Sequence, residues 1–180
     1  MGSERRKPLV ELTERLERTS ALDGAVEAVE PIVASTLGTG EARRLLSGEW
    51  LGHALHPLLT DVPIGAWTSA LILDLIGGRS SEHAADLLVT VGIAAVPPTA
   101  LSGWSDWGAT TTPEQRRVGL LHAAVNIAAA AIFTTSLLRR REGRRGAGKL
   151  LGLAGATALG AGGYLGGHLS YARGAGVGER

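Results

Sequence analysis

Residues 118–138, VGLLHAAVNIAAAAIFTTSLL, run 21 positions without a charged side chain. A helix needs about 20 mostly apolar residues to cross the hydrocarbon of a bilayer. Two more uncharged runs match it, residues 87–105 with 19 positions and residues 150–172 with 23. A fourth run, residues 57–77, has the right length and carries Asp61 and Asp74 near its ends. A soluble bundle would have to bury these runs, yet none has the polar stripe of an amphipathic helix. The pattern predicts an all-α protein, an integral membrane four-helix bundle. Its helices are expected at about 57–77, 84–104, 117–138 and 149–171, within a domain spanning residues 50–178.

Upstream of this domain the character changes. Residues 1–49 hold nine acids and seven bases. Short amphipathic patterns recur there, with Leu9, Leu12 and Leu16, then Leu22, Val26, Val29 and Val33, and a third start at Thr39-Gly40-Glu41. Pro31 is expected to kink the second helix, and Gly38 to end it. These pieces are too charged to span a bilayer. They read as a short N-terminal helical extension packed on the membrane part. The near balance of acids and bases speaks against a helix drawn flat onto anionic lipid. The basic residues Met1 to Lys7 are followed by a charged segment rather than an apolar one, so no secretory signal is read.

The formal charge of +1 excludes a nucleic-acid surface as the organising feature. The absence of cysteine excludes thiolate chemistry, disulfides and cysteine-held iron–sulfur clusters in this chain. The densest basic block, the loop Arg139 to Arg145, reads as a topology signal rather than a ligand site. Counted over the loops, one orientation collects seven bases in the cytoplasm and the other six. The density of the block favours keeping it inside, with both termini outside. Asp74 and Asp86 are expected to pair with Arg79 at that surface.

Helices of a four-pass bundle alternate in direction. The start of the first, the end of the second, the start of the third and the end of the fourth then share one membrane face. That face receives His53, His56 and Asp61, then Ser102, Trp104, Asp106 and Trp107, then His122 and Asn126, then His168, Ser170 and Tyr171. Four of the five histidines collect there, and His83 stands alone at the other end. His122 and Asn126 are four apart and point the same way. His56 precedes Pro57, which places it at a helix entrance. Neutral imidazole ligates haem iron and binds divalent metals. His56, His122 and His168 are therefore the candidate cofactor ligands, joined by Asp61 if the site holds a metal. His53, Asn126, Trp104, Asp106 and Tyr171 are candidates to support them. A packed polar network with no ligand is the competing reading, as is plain small-residue helix packing along Gly152, Ala156 and Gly160. Pro97-Pro98 is expected to kink the second helix.

Several stretches together resemble a known bacterial family. They are His56-Pro57-Leu58-Leu59-Thr60-Asp61-Val62-Pro63-Ile64-Gly65-Ala66-Trp67, Leu101-Ser102-Gly103-Trp104-Ser105-Asp106-Trp107, His122 with Asn126, and Gly162-Gly163-Tyr164-Leu165-Gly166-Gly167-His168-Leu169-Ser170-Tyr171 with Gly174 and Gly176. The family is the one catalogued as domain of unknown function 2231, and the resemblance covers roughly residues 50–178. It implies a four-helix, multi-pass protein of the inner (plasma) membrane. Some members are fused to a Rieske-type iron–sulfur domain. His53-Ala54 departs from the Gly-His-Pro expected there, which weakens His53 as a ligand.

Two readings of function follow. The first is a redox-associated membrane subunit with a histidine-lined site for a b-type haem or a divalent metal near one membrane face, with quinone nearby. The second is a non-catalytic membrane anchor or assembly partner for a separate soluble redox protein, of Rieske type or another kind. A proton path through Asp61 is a third and weaker reading, because no inverted repeat is visible.

Overall fold

The computed structural model describes residues 8–174. The basic residues 1–7 and residues 175–180, which include Gly176, lie outside the described residues. The described part is helical, with no strand. Three short helices come first, α1 (Pro8–Glu17), α2 (Asp23–Thr36) and α3 (Gly40–Ser47). Four long ones follow, α4 (Leu55–Ile76), α5 (Glu82–Gly108), α6 (Pro113–Arg141) and α7 (Arg145–Gly167). A π-type turn, His168–Ala172, extends α7.

Three helices, α4, α5 with its preceding turn, and α6, are long and apolar enough to cross a membrane. The fourth, α7, falls outside that set. Seven of the 18 residues in 150–167 are glycines, which lengthen the helix without adding apolar surface. The long helices pack as two hairpins, α4 with α5 and α6 with α7. The hairpins meet where α5 touches α6 and α4 touches α7. Consequently α4 and α6 face each other across the centre.

Local chemistry accounts for the helix ends. Pro57 occupies the first turn of α4, where a backbone N–H has no acceptor within the helix. Pro63 lies deeper and leaves the Leu59 carbonyl without its usual donor. The Thr99 hydroxyl of α5 stands 3.3 Å from that carbonyl, while its shorter contact, 2.8 Å, is to the Ala95 carbonyl of its own helix. Helix α6 opens on Pro113 behind a Thr112–Gln115 capping box, which satisfies two backbone donors reciprocally. At the turn into α5, Gly78 adopts φ +65°, a conformation that suits glycine. Helix α5 runs on through Pro97 and Pro98.

Two cores hold these pieces. In the membrane part, Trp67 stacks on Phe133 with ring centres 4.2 Å apart, among Ala70, Val89 and Leu137. The Trp67 indole donates to the Val89 carbonyl at 3.2 Å. Close helix approach makes this possible, because a Cβ on Gly92 would fall 2.2 Å from the Trp67 Nε1. The second core joins Val26 and Val33 of α2 to Trp107 of α5. It fastens the N-terminal extension over the end of the long helices that carries His56 and His122. Pro31 sits inside α2 without ending it.

The opposite end is held by charge. The Arg140 side chain, 1% exposed, pairs with Asp74 and reaches Asp86 at 3.3 Å. Arg145 also binds Asp86, at 2.9 Å, and the Lys149 ammonium donates to the Asp74 carbonyl oxygen at 3.0 Å. Asp74 and Asp86 thus pair with members of the basic block rather than with Arg79. Part of that block is buried cross-linking between helices, beyond a signal for topology.

Candidate functional site

His56 stands in the first turn of α4 and His122 two turns into α6. Their rings meet across the centre with centres 6.2 Å apart and planes at 85°. Each ring is held by the backbone of a neighbouring helix. The Nδ1–H of His56 donates to the Thr99 carbonyl of α5 at 2.9 Å, with the Ser102 hydroxyl at 3.3 Å. The Nδ1–H of His122 donates to the Gly162 carbonyl of α7 at 2.8 Å. A carbonyl only accepts, so both rings carry their proton on Nδ1 and keep the lone pair on Nε2.

The glycines that receive these rings lie on the flanking helices. A Cβ on Gly103 would fall 2.8 Å from Cε1 of His56, and one on Gly166 would fall 2.9 Å from Cε1 of His122. Asn126 donates to the His122 carbonyl at 2.8 Å, and its amide lies 3.3 Å from the His122 Nε2. Its side chain in turn fills the space above Gly162. Ser102 is fully buried beside His56.

His168 is drawn elsewhere. Its Nε2 lies 2.7 Å from a carboxylate oxygen of Glu17, which projects from α1. The Arg173 Nε donates to the same oxygen at 2.7 Å, and its Nη2 pairs with the other oxygen. The Glu17 side chain is only 4% exposed. Hydrogen bonding from Arg173 holds its carboxyl below the ordinary value of 4.5, with His168 acting in the same direction and burial opposing. Nearby, Arg117 grips Asp23 through two bonds of 2.6 and 2.7 Å and donates to the Glu17 carbonyl at 2.8 Å. That grip likewise lowers the Asp23 carboxyl. Arg116 adds a bond of 2.6 Å to Glu30. Together these pairs clamp α1 and α2 onto the ends of α6 and α7.

The other candidates scatter. His53 and Asp61 are exposed, and Tyr171 is 93% exposed. Trp104 packs edge-on against Trp107, 5.4 Å away, beside the α2 core. Asp106 is half-buried near the same end. Five apart on a helix that runs unbroken through Pro57 and Pro63, His56 and Asp61 point to different sides. Among the described residues, no three of His, Cys, Asp and Glu cluster closely enough to hold a metal. The structure therefore brings together His56, His122 and Asn126, and separates His168, Asp61, His53, Trp104 and Tyr171 from them.

Sequence reading missed Thr99, Ser102 and Gly103 as partners of His56, and Glu17, Asp23 and Arg173 as a clamp. For Thr99 and Gly103 no residue pattern announces the role. For Arg117 and Arg173 the signal was present, since bases at the ends of apolar runs need acids, and the extension is rich in them.

No curated protein and no solved structure matches the chain. The family described as "Predicted membrane protein (DUF2231)" matches residues 52–179. That match takes in all four long helices and the paired histidines, and the chain belongs to the DUF2231 family of predicted membrane proteins.

Proposed function

We propose that this is a four-pass inner-membrane redox subunit in which His56 and His122 hold a metal centre beneath the N-terminal extension. In this reading residues 50–178 are the membrane domain, α7 is its fourth span, and residues 1–49 are its cover. The observation that carries the proposal is the pair of facing imidazoles, each with Nδ1–H fixed by a carbonyl. The His56 Nε2 has no hydrogen-bond partner among the described residues, and the His122 Nε2 is met by the Asn126 amide at 3.3 Å, which a bound group would have to displace. Metal-binding histidines are held in this way through the nitrogen they do not use.

The donor set narrows the centre. A closed zinc site takes four ligands, and a catalytic one three. Two imidazoles are too few for either; His56 and His122 would hold a group that needs two nitrogen ligands from the protein, such as a b-type haem. When bound, such a group supplies one-electron chemistry. The protein's part is to fix both rings and keep water from them. A membrane quinone and a separate Rieske-type or other redox protein are the partners this centre would serve.

The test is an absorbance spectrum with metal analysis on protein purified in detergent from haem-replete cells. A Soret band lost in His56→Ala and His122→Ala but kept in His168→Ala supports the proposal. A metal band of another kind with the same dependence identifies a divalent ion instead. A colourless, metal-free preparation overturns it.

A second reading rests on a different observation. Leu9, Leu12 and Ile32 on the extension are exposed large apolar residues. They suit an anchor that docks a soluble iron–sulfur protein. In that case co-purification with the partner survives His56→Ala and His122→Ala, and fails when residues 1–49 are removed.

A further inference from the structure

Between α3 and α4 the chain makes a short helical turn, Glu49–Leu51. Trp50 stands on it, 64% exposed, five residues before the first spanning helix begins at Leu55. The ring is not free to swing, because its Nε1 donates to the Leu45 carbonyl at 3.0 Å. That bond leaves the apolar part of the indole facing outward beside Leu45, which is 61% exposed, and Leu51. A groove of about 400 Å³ runs along them, edged by Glu41, Arg44 and Glu49. Those three charges engage one another, Arg44 meeting Glu41 at 2.8 Å and Glu49 at 3.8 Å.

Position decides what covers this ridge. Helix α3 packs on α4 and α5, so its outer side continues the outer side of those helices. Near the end where α3 packs, Leu58 and Val62 on α4 and Leu101 on α5 are exposed large apolar residues. An indole with its N–H satisfied, set at the mouth of a spanning helix, has the make-up of an interfacial aromatic anchor. We propose that Leu45, Trp50 and Leu51 seat the N-terminal extension in the boundary between lipid headgroups and acyl chains, level with the entry of α4. Glu41, Arg43, Arg44 and Glu49 sum to zero, so the attraction is apolar and needs no anionic lipid. The extension then has two supports. Ion pairs tie α1 and α2 to α6 and α7, and lipid holds α3. This inference stands apart from the imidazole pair and does not require a bound metal.

The chain has no cysteine, so a single introduced cysteine can carry a nitroxide label without background. The full-length variants Leu45→Cys, Leu51→Cys, Glu27→Cys and Ile72→Cys would be labelled and reconstituted into phosphatidylcholine vesicles. Collision rates with oxygen and with a water-soluble nickel chelate then report depth. Ile72, exposed on α4, is the hydrocarbon reference and verifies insertion. Glu27, exposed on α2 away from the ridge, is the aqueous reference. Labels at Leu45 and Leu51 are expected to favour oxygen over the chelate severalfold more than the label at Glu27. Ratios equal to that at Glu27 overturn the proposal. So does shielding from both reagents, which would mean that another protein surface covers the ridge. Trp50→Ser, in the Leu45→Cys background, is expected to bring the Leu45 ratio towards the aqueous reference.

Discussion

Replacing Glu17 by Gln tests whether the extension is clamped by charge. The carboxylate accepts from His168 and from two nitrogens of Arg173, and little of it meets solvent. An amide of the same shape keeps one acceptor and puts a donor against Arg173. A hydrogen bond to a charged group contributes about 1.5–3 kcal/mol. Arg173 is 43% exposed, so water screens its share and the lower end applies. A loss of about 2 kcal/mol raises local opening roughly thirtyfold. Hydrogen exchange in detergent or nanodiscs reads this directly, with faster exchange in residues 8–22 and no change in residues 60–75. The pH dependence has a definite sign. The carboxyl of Glu17 titrates below its ordinary 4.5 in the folded protein. Its contribution is therefore full above that value and is lost as pH falls through the folded value. Wild-type residues 8–22 are expected to loosen on acidification below about pH 4.5, and the Gln variant to show less of this response. Unchanged exchange in the variant at neutral pH would refute the clamp.

At the other end, Arg140→Met leaves the buried Asp74 with Lys149, 3.9 Å away, as its charge partner, a loss of about 3 kcal/mol, the lower end for a broken buried pair. The double variant with Asp74→Leu removes both charges and is expected to recover most of the thermal stability in detergent. Gly92→Ala gains about 1 kcal/mol of helix propensity. It also drives a methyl into a stacked, 2% exposed Trp67, and overpacking of about 1–3 kcal/mol wins, lowering the unfolding midpoint followed by near-ultraviolet dichroism. Gly103→Val is expected to push His56 off the Thr99 carbonyl and abolish any metal-dependent absorbance, while helix content by far-ultraviolet dichroism stays unchanged.

Much of the architecture was legible because apolar length is a one-dimensional property. Uncharged runs such as residues 118–138 locate helices without reference to anything they touch. The expected helix over 57–77 became Leu55–Ile76 only because Pro57 is tolerated in a first turn. The Thr112–Gln115 capping box starts α6 at Pro113, ahead of the start at about 117 that apolar length alone gives. Alternation of helix direction also brought His56 and His122 to one level. It could not say which way each side chain turns. His168 follows Gly166 and Gly167 and lies in a π-type turn, so its rotation about α7 departs from the ideal helix. That rotation, with an acid waiting 151 positions earlier, decided its partner. Asp61 was misjudged for a related reason, since presence near a membrane end says nothing about facing inward.

The clamp joins residues far apart in the order of synthesis. Glu17 leaves the ribosome 151 residues before His168 and 156 before Arg173. At about 5–20 residues per second, the acid waits roughly 8–30 s for its partners. Through that interval α1 has no basic groups beyond α7 to close upon, and Arg117 of α6 is left to hold the end of α1 and the start of α2.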